Sequence, residues 1–408
     1  MEITLKEAKD ILRYIIKNNS ELQERGQFPV SVSLCGGCGL GKTSICDQLA
    51  QEIDANYVKL NLAMISDPSD IVGWPNQEFH VCRGDECEWI NAKLIPAYTE
   101  NGWTITAETR MSYAVPEWIQ GLDLNKPTIL VLDDYTRATP AILQAIMEIV
   151  CRQEYISWRL PKNSTVVLTE NPNDGSYSVT EIDSAALSRY LRFSVKFDID
   201  SWAEYAETAK LDNRGINFLL AYHTEIMKEN AQHVHPVNAR NYTMFINTIA
   251  GIKNWDDSKN LALIMQIATA SFPEDKDGVV ASMFTSFIAN KLDKLISPED
   301  LLLGKWETVS PKIKECVYDD KGKYKPIVAS ILHTRLLNYC MYYFDQKGSK
   351  TDVIEQRLID LIEVNDDKNK ANLLSDEFLF DIIKQLVSKY KARTNKLLLN
   401  AKIRSRIL

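Results

Sequence analysis

The sequence has no long apolar run, no excess of positive charge and only five histidines. Its longest apolar stretch, 261–270, is interrupted by Gln266 and falls short of the roughly 20 residues that span a bilayer, so no membrane contact is expected. The opening residues Met-Glu-Ile-Thr-Leu-Lys-Glu lack the basic and apolar regions of a secretory signal, and the expected location is the cytoplasm. A formal charge of −8 weighs against whole-protein attraction to nucleic acid and leaves room only for a local basic patch. Metal-finger spacing is also missing. His80, Cys82 and Cys87 offer three zinc ligands in a polar loop but have no second pair, and His233 and His235 before Pro236 also read as loop; no metal is expected at either place. Cys35, Cys46 and Cys151 fall in buried-looking patterns and read as small hydrophobes in a reducing compartment. With 408 residues and a 45% hydrophobic share, the chain is long enough for two or three domains and a substantial core.

What the sequence does contain is a complete phosphate loop. Gly36, Gly37, Cys38, Gly39, Leu40, Gly41, Lys42 and Thr43 satisfy G-x-x-x-x-G-K-[ST], with Ser44 opening the helix-patterned run 44–53 and the apolar run 30–35 in front. Backbone N–H groups of 37–43 can converge on a β-phosphate, and the positive end of the following helix adds to the cradle. Lys42 is expected to bridge the β- and γ-phosphates of ATP, and the Thr43 hydroxyl to take one Mg²⁺ position. A second apolar run, Thr-Ile-Leu-Val-Leu-Asp-Asp at 128–134, ends in two acids as a buried parallel strand beside such a loop would. Asp133 is the expected metal-side carboxylate, and Asp134 the group that polarises the attacking water.

The stretch Asp133-Asp134-Tyr135-Thr136-Arg137-Ala138-Thr139-Pro140, continuing through Gln144-Ala145-Ile146-Met147-Glu148, resembles the Asp-Glu-x-x-Arg-Ala-x-Pro-x-x-Gln-x-x-Leu-Leu-Glu signature of the MoxR and dynein-related branch of the AAA+ ATPases. Asp-Pro-Ser-Asp-Ile-Val-Gly-Trp-Pro at 67–75 looks like that branch's Asp-Leu-x-Gly segment, and Val-Val-Leu-Thr-Glu-Asn-Pro at 166–172 resembles its strand ending in Ala-Thr-x-Asn-Pro. With the phosphate loop these motifs cover about 31–241. The resemblance implies that Asn171 is a polar sensor orienting the lytic water. It implies that Arg189, in Leu-Ser-Arg-Tyr-Leu, is an arginine finger offered to the next subunit's ATP, with Arg192 the second candidate. It also makes Arg240, in Val-Asn-Ala-Arg at the start of a lid helix, the candidate second sensor. A homo-oligomeric ring, expected to be a hexamer, and a protein substrate or adaptor follow from the same likeness. One position departs from the pattern: the second acid is Asp134, where most members carry Glu. Its carboxylate sits about one C–C bond nearer the backbone, so hydrolysis is expected to be slow or to depend on a subunit interface that tightens the site.

The expected architecture is α/β, a doubly wound parallel five-stranded sheet followed by an all-helical lid and a further helical domain. The arm 1–26 opens with a Thr4/Glu7 capping box and one apolar helical stripe. The nucleotide-binding domain is expected over 27–199, with strands near 31–35, 57–61, 128–133, 165–169 and 193–197. Inside it, the insertion 74–126 carries Trp74, Trp89, Trp103 and Trp118; the resemblance makes it a pore- or partner-facing element, and the alternative is a small satellite core. A lid is expected over 200–277, with helical runs at 217–229, 240–250 and 261–271 and a polar break at 273–278. The C-terminal helical domain, 278–408, ends in a segment, 385–408, with seven cations and no acid. Its apolar side, Leu386, Val387, Tyr390, Leu399, Ile403 and Ile407, suits docking on a neighbouring subunit or acidic partner protein, with nucleic acid the other occupant. The expected function is ATP-driven remodelling of a protein complex. The alternatives are a nucleic-acid loader or initiator ATPase, and a slowly hydrolysing nucleotide-gated scaffold.

Overall fold

Thr4 begins the first long helix as its capping box requires: its hydroxyl accepts from Glu7 N at 3.2 Å, and its own N–H donates to Glu7 Oε2 at 2.7 Å. The computed structural model describes residues 2–173, 177–226, 237–272, 275, 278–319, 321–346, 350–366 and 372–407. His233, His235, Pro236 and Pro273 lie outside them, as does the end of the helical run expected over 217–229. The chain divides into two compact units, Met1–Phe197 and Asp198–Leu408. Among the described residues, no helix is long and apolar enough to cross a membrane.

The first unit runs β1 (Glu2–Ile3), α1 (Leu5–Glu24), β2 (Ser31–Cys35), α2 (Lys42–Glu52), β3 (Asn56–Asn61), α3 (Ser69–Val72), β4 (Pro75–Arg83), β5 (Glu86–Asn91), α4 (Ile95–Glu100), β6 (Thr104–Tyr113), α5 (Glu117–Gln120), β7 (Thr128–Asp133), α6 (Pro140–Arg152), β8 (Glu154–Tyr155), β9 (Trp158–Arg159), β10 (Ser164–Glu170), α7 (Ser184–Leu187) and β11 (Tyr190–Val195). Six of these strands form a parallel sheet in the order β1-β11-β2-β10-β7-β3. Successive residues of a strand face opposite sides. Ile129, Val131 and Val167 therefore pack with Leu12, Ile15 and Leu49 of α1 and α2, while Leu130, Leu132, Val166 and Leu168 pack with Ile142, Ile146 and Ile149 of α6. Helices on both faces make the sheet doubly wound, as expected. It has one strand more than the five predicted, because Glu2–Ile3 adds to the edge beside β11. The last strand also begins earlier than the predicted 193, at Tyr190, where pairing with Ser31 of β2 starts.

The insertion is a separate antiparallel sheet in the order β5-β4-β6. Its tryptophans divide. Trp118 joins the main core, donating to Ile71 O at 3.2 Å and packing edge-on to Trp158. Trp89 and Trp103 sit under the Arg110 and Arg83 guanidiniums, and Trp74 is 66% exposed. His80, Cys82 and Cys87 lie on strands rather than in a loop, and Cys82 and Cys87 are joined by a disulfide. Cys35, Cys46 and Cys151 are free thiols.

The second unit is helical: α8 (Ile199–Thr208), α9 (Asn213–Ile226), α10 (Ala239–Ile249), α11 (Ser258–Ser271), α12 (Val279–Ala289), α13 (Pro298–Leu303), α14 (Trp306–Val317), α15 (Pro326–Asp345), α16 (Thr351–Asp366), α17 (Asp376–Lys389), α18 (Asn395–Leu399) and α19 (Ala401–Ile407). Helices from both sides of position 278 share its core. Arg335 of α15, fully buried, donates to Glu207 Oε1 of α8 at 2.5 Å, to Asn217 Oδ1 of α9 at 2.8 Å and to Asn213 Oδ1. A charge at that depth is tolerable only because a carboxylate and two amide oxygens surround it. The basic segment folds onto its own unit. Leu386, Leu397 and Ile403 are buried, and Lys389, Lys396 and Arg406 lie 3.2, 3.8 and 3.2 Å from carboxylate oxygens of Asp345, Asp352 and Asp376. Much of the apolar side expected to dock on a partner is thus covered within the chain, although Leu399 stays 78% exposed.

Candidate nucleotide site

The phosphate loop joins the carboxyl end of β2 to the start of α2, and two glycines make that path available. Gly41, which precedes the helix, has φ +99°, a conformation that side chains other than hydrogen rarely adopt. At Gly36 a Cβ would meet Val195 O at 2.5 Å, so the loop can leave β2 only without a side chain there. Lys42 is nearly buried and folds back, its ammonium donating to the carbonyls of Gly36 at 2.7 Å and Gly37 at 2.8 Å. Burial lowers its pKa, against the opposing pull of Cys35, Cys38, Asp134 and Asp133. Over the same loop stands Tyr177, whose hydroxyl accepts from Cys38 N at 3.1 Å.

On the neighbouring strands β7 and β10 the acids are held by hydroxyls. Asp133 Oδ1 accepts from Thr43 at 2.7 Å and from Thr169 at 2.6 Å, and Lys59 of β3 places its ammonium 3.0 Å from Oδ2. Burial resists ionisation of Asp133, but the hydrogen bonds from Thr169, Thr43 and Lys59 outweigh it and hold the carboxyl below its ordinary range. Asp134 has left-handed backbone, φ +55°, with its N–H donating to Thr169 Oγ1 at 3.0 Å. Its carboxylate faces the Asn171 amide at 3.5 Å and Arg137 at 3.9 Å. Asn171 is buried and anchored through its own N–H to Thr136 Oγ1 at 3.2 Å.

These contacts bring Thr43, Asp133, Asp134 and Asn171 into one cluster beside the loop. The three arginines are placed otherwise. Arg189, between α7 and β11, turns its guanidinium to Ala185 O of its own chain. Arg192 lies inside the strand β11, where it donates to the buried carboxylate of Glu170 at 2.9 Å and contacts Cys35 Sγ at 3.1 Å; Glu170 in turn accepts from Ser33 at 2.6 Å. Arg240 belongs to the second unit, exposed in the first turn of α10, where its N–H caps onto Asn238 Oδ1 at 3.0 Å. Sequence reasoning passed over Thr169, Lys59, Tyr177 and the Ser33–Glu170–Arg192 chain. For Thr169, Ser33 and Glu170 the signal was polar residues within strands otherwise rich in Val and Leu; Tyr177, between β10 and α7, had none.

The donor set at Thr43 and Asp133 is all oxygen, with a hydroxyl and a carboxylate 2.7 Å apart, and it fits a hard cation such as Mg²⁺ that keeps most of its water.

No family model matches the chain, and no curated protein matches it. Among solved structures, one mutant form of Thermotoga maritima RuvB is similar at 11% identity over 79% of this chain and 94% of that one, with a TM-score of 0.36. A second mutant of the same protein gives 11% identity, 78% and 91% coverage and a TM-score of 0.38. NtrX from Brucella abortus in complex with ADP gives 13% identity, 74% and 64% coverage and a TM-score of 0.36. Likeness at this level decides neither family nor activity, and the site stands on its own geometry.

Proposed function

We propose that this chain binds and hydrolyses ATP with Mg²⁺ in the manner of the AAA+ proteins of the MoxR branch that its motifs resemble, working as a ring oligomer that remodels a partner protein. The observation that carries the reading is the shared hydrogen-bonded cluster of the phosphate-loop Thr43 with Asp133, Thr169, Asp134 and Asn171. A bound Mg²⁺ would supply charge neutralisation on the transferred phosphoryl group. Thr43 and Asp133 would hold the ion, and Lys42 would leave the Gly36 and Gly37 carbonyls to meet phosphate oxygens. Tyr177 would give up Cys38 N–H so that the loop's donors face the anion. Asp134 would take a proton from the attacking water, steadied by the Asn171 amide. Arg189 is the residue assigned to the neighbouring subunit's site. Partner engagement is assigned to the insertion, where Trp74, Met111 and Ile105 are 66%, 59% and 44% exposed.

The test is steady-state ATP hydrolysis read together with sedimentation. The wild type should assemble in ATP and turn it over. Arg189→Ala rings should bind ATP without turnover, and mixing them with Lys42→Ala subunits should restore part of the rate, because mixed rings contain sites with one intact cradle and one intact finger. No recovery in proven mixed assemblies would overturn an interfacial site. A slowly hydrolysing scaffold is the second reading, favoured by the loose 3.5 Å contact between Asn171 and the short acid Asp134; a wild-type rate no faster than that of Asp134→Asn would select it.

A further inference from the structure

The sheet of the insertion carries chemistry that the nucleotide site does not use. Cys82 of β4 and Cys87 of β5 are directly opposed across the turn at Gly84 and Asp85. His80 precedes Cys82 by two residues, so both side chains leave the same face of β4. The His80 ring nitrogens lie 3.9 Å (Nε2) and 4.0 Å (Nδ1) from Cys82 Sγ. The ligand atoms of His80, Cys82 and Cys87 all fall within 4.8 Å of one another. The other side of the ring is also furnished: Nδ1 is 3.1 Å from Thr106 Oγ1 and 3.4 Å from Glu108 Oε2, both on β6, and Trp89 packs on the imidazole at 4.8 Å between centroids.

Around a tetrahedral zinc ion, with Zn–S about 2.3 Å and Zn–N about 2.0 Å, adjacent ligand atoms stand roughly 3.5–3.8 Å apart. The His80 and Cys82 pair is already near that spacing. A ligating histidine ordinarily donates its second N–H to a carboxylate, which fixes the tautomer, and Glu108 is placed to accept it. If the chain works where ATP is used, its exposed thiols are kept reduced, and two thiols beside an imidazole favour a soft cation over Mg²⁺ or Ca²⁺. That compartment step rests on the proposed function; the geometry does not. The sheet would also gain from a tether: β4, β5 and β6 each contribute a single buried residue, Val81, Ile90 and Ser112, too few for an independent core.

We propose that the reduced hairpin binds one Zn²⁺ through His80 Nε2, Cys82 Sγ and Cys87 Sγ, with water in the fourth position and Glu108 as the positioning residue. The disulfide is then the oxidised, metal-free form of the same site. In the conversion the two zinc-held thiolates each give up one electron to a low-molecular-weight disulfide. A sulfur–sulfur bond forms between Cys82 and Cys87, the oxidant's own bond breaks, two protons are taken up as it leaves as two thiols, and the cation is released.

The experiment uses the full chain, reduced and then freed of reductant under anaerobic conditions, and titrated with Co²⁺ alone. A thiolate-to-cobalt charge-transfer band should rise to one ion per chain and be bleached by Zn²⁺. His80→Ala should weaken binding by about a hundredfold or more, and Glu108→Gln by about tenfold to a hundredfold, the scale for an outer partner of a ligand. The disulfide-oxidised chain should show no band until reductant is restored. Six further cysteines are free, so the Cys82→Ser/Cys87→Ser double variant sets the background. A band unchanged in that variant overturns the site, and a band in the oxidised chain overturns the switch. Zinc analysis of wild-type protein purified under reduction removes dependence on variants that fail to fold: no zinc retained and no cobalt band rejects the proposal.

Discussion

The central strands of the parallel sheet bury both faces, whereas the antiparallel sheet of the insertion leaves nearly all its side chains partly or fully in water. In the first, the buried polar side chains of β2, β7 and β10 are paired, Ser33 on Glu170 and Thr169 on Asp133 among them. In the second, the arrangement is held by a covalent link, guanidinium–indole contacts and surface ion pairs. The contrast teaches where sensitivity lies. A buried network loses a whole hydrogen bond when one member is removed, while an exposed sheet exchanges lost contacts for water.

The largest expected effect tests that difference directly. Leu130→Ala, in the fully buried β7, should destabilise the first unit by about 2–5 kcal/mol in urea unfolding. Ile105→Ala, on the 44% exposed face of β6, should cost less than about 0.5 kcal/mol. Equal costs would erase the distinction. Next in size is chemistry at the end of the buried sheet: Asp134→Asn should lower hydrolysis by ~10² with ATP·Mg²⁺ binding kept, as removal of a general base does. Loss of binding instead would move the metal role from Asp133 to Asp134. Lys42→Ala should weaken ATP by about tenfold or more, roughly 1.4 kcal/mol, in calorimetry, because no other side chain of the loop carries charge. Unchanged affinity would remove the cradle assignment. The smallest effect concerns Tyr177. Tyr177→Phe removes the hydroxyl that accepts from Cys38 N–H, and nucleotide should bind tighter by up to about tenfold, the range of one hydrogen bond. Weaker binding would show that the hydroxyl helps the nucleotide rather than competing with it.

Legibility followed the same divide. β7 stood out because burial on both faces favours an unbroken apolar run, β2 and β10 because Val and Leu dominate theirs despite Ser33 and Thr169, and the phosphate loop and acids sit at their ends. The strands of the insertion did not, since β6 places Thr104, Glu108 and Arg110 in solvent and has no alternation for a core to impose. The start of β11 was placed late because Leu191 and Arg192 stay exposed on the strand, and their pairing alongside β2 leaves no apolar run in the local pattern. Thr169 and Lys59 were invisible for a related reason: what they do depends on β10 and β3 flanking β7, a neighbour relation absent from local pattern. The basic segment misled because its acids, Asp345, Asp352 and Asp376, come from elsewhere in the chain.

The left-handed backbone of Asp134 gives its short side chain a different meaning. At φ +55° and ψ +40° the Cβ of any residue crowds the backbone at a cost of about 1 kcal/mol, which an aspartate offsets better than a glutamate because its short polar side chain can hydrogen-bond locally. The main-chain turn is itself fastened, with Asp134 N–H on Thr169 and Arg137 N–H returning to Asp134 O at 2.8 Å. Lengthening the acid to glutamate therefore carries a backbone cost as well as one more methylene, a cost the chain accepts elsewhere, at Gln153 and Lys291 with φ +59° and +58°. Reach at this position is set jointly by the side chain and by the turn that aims it.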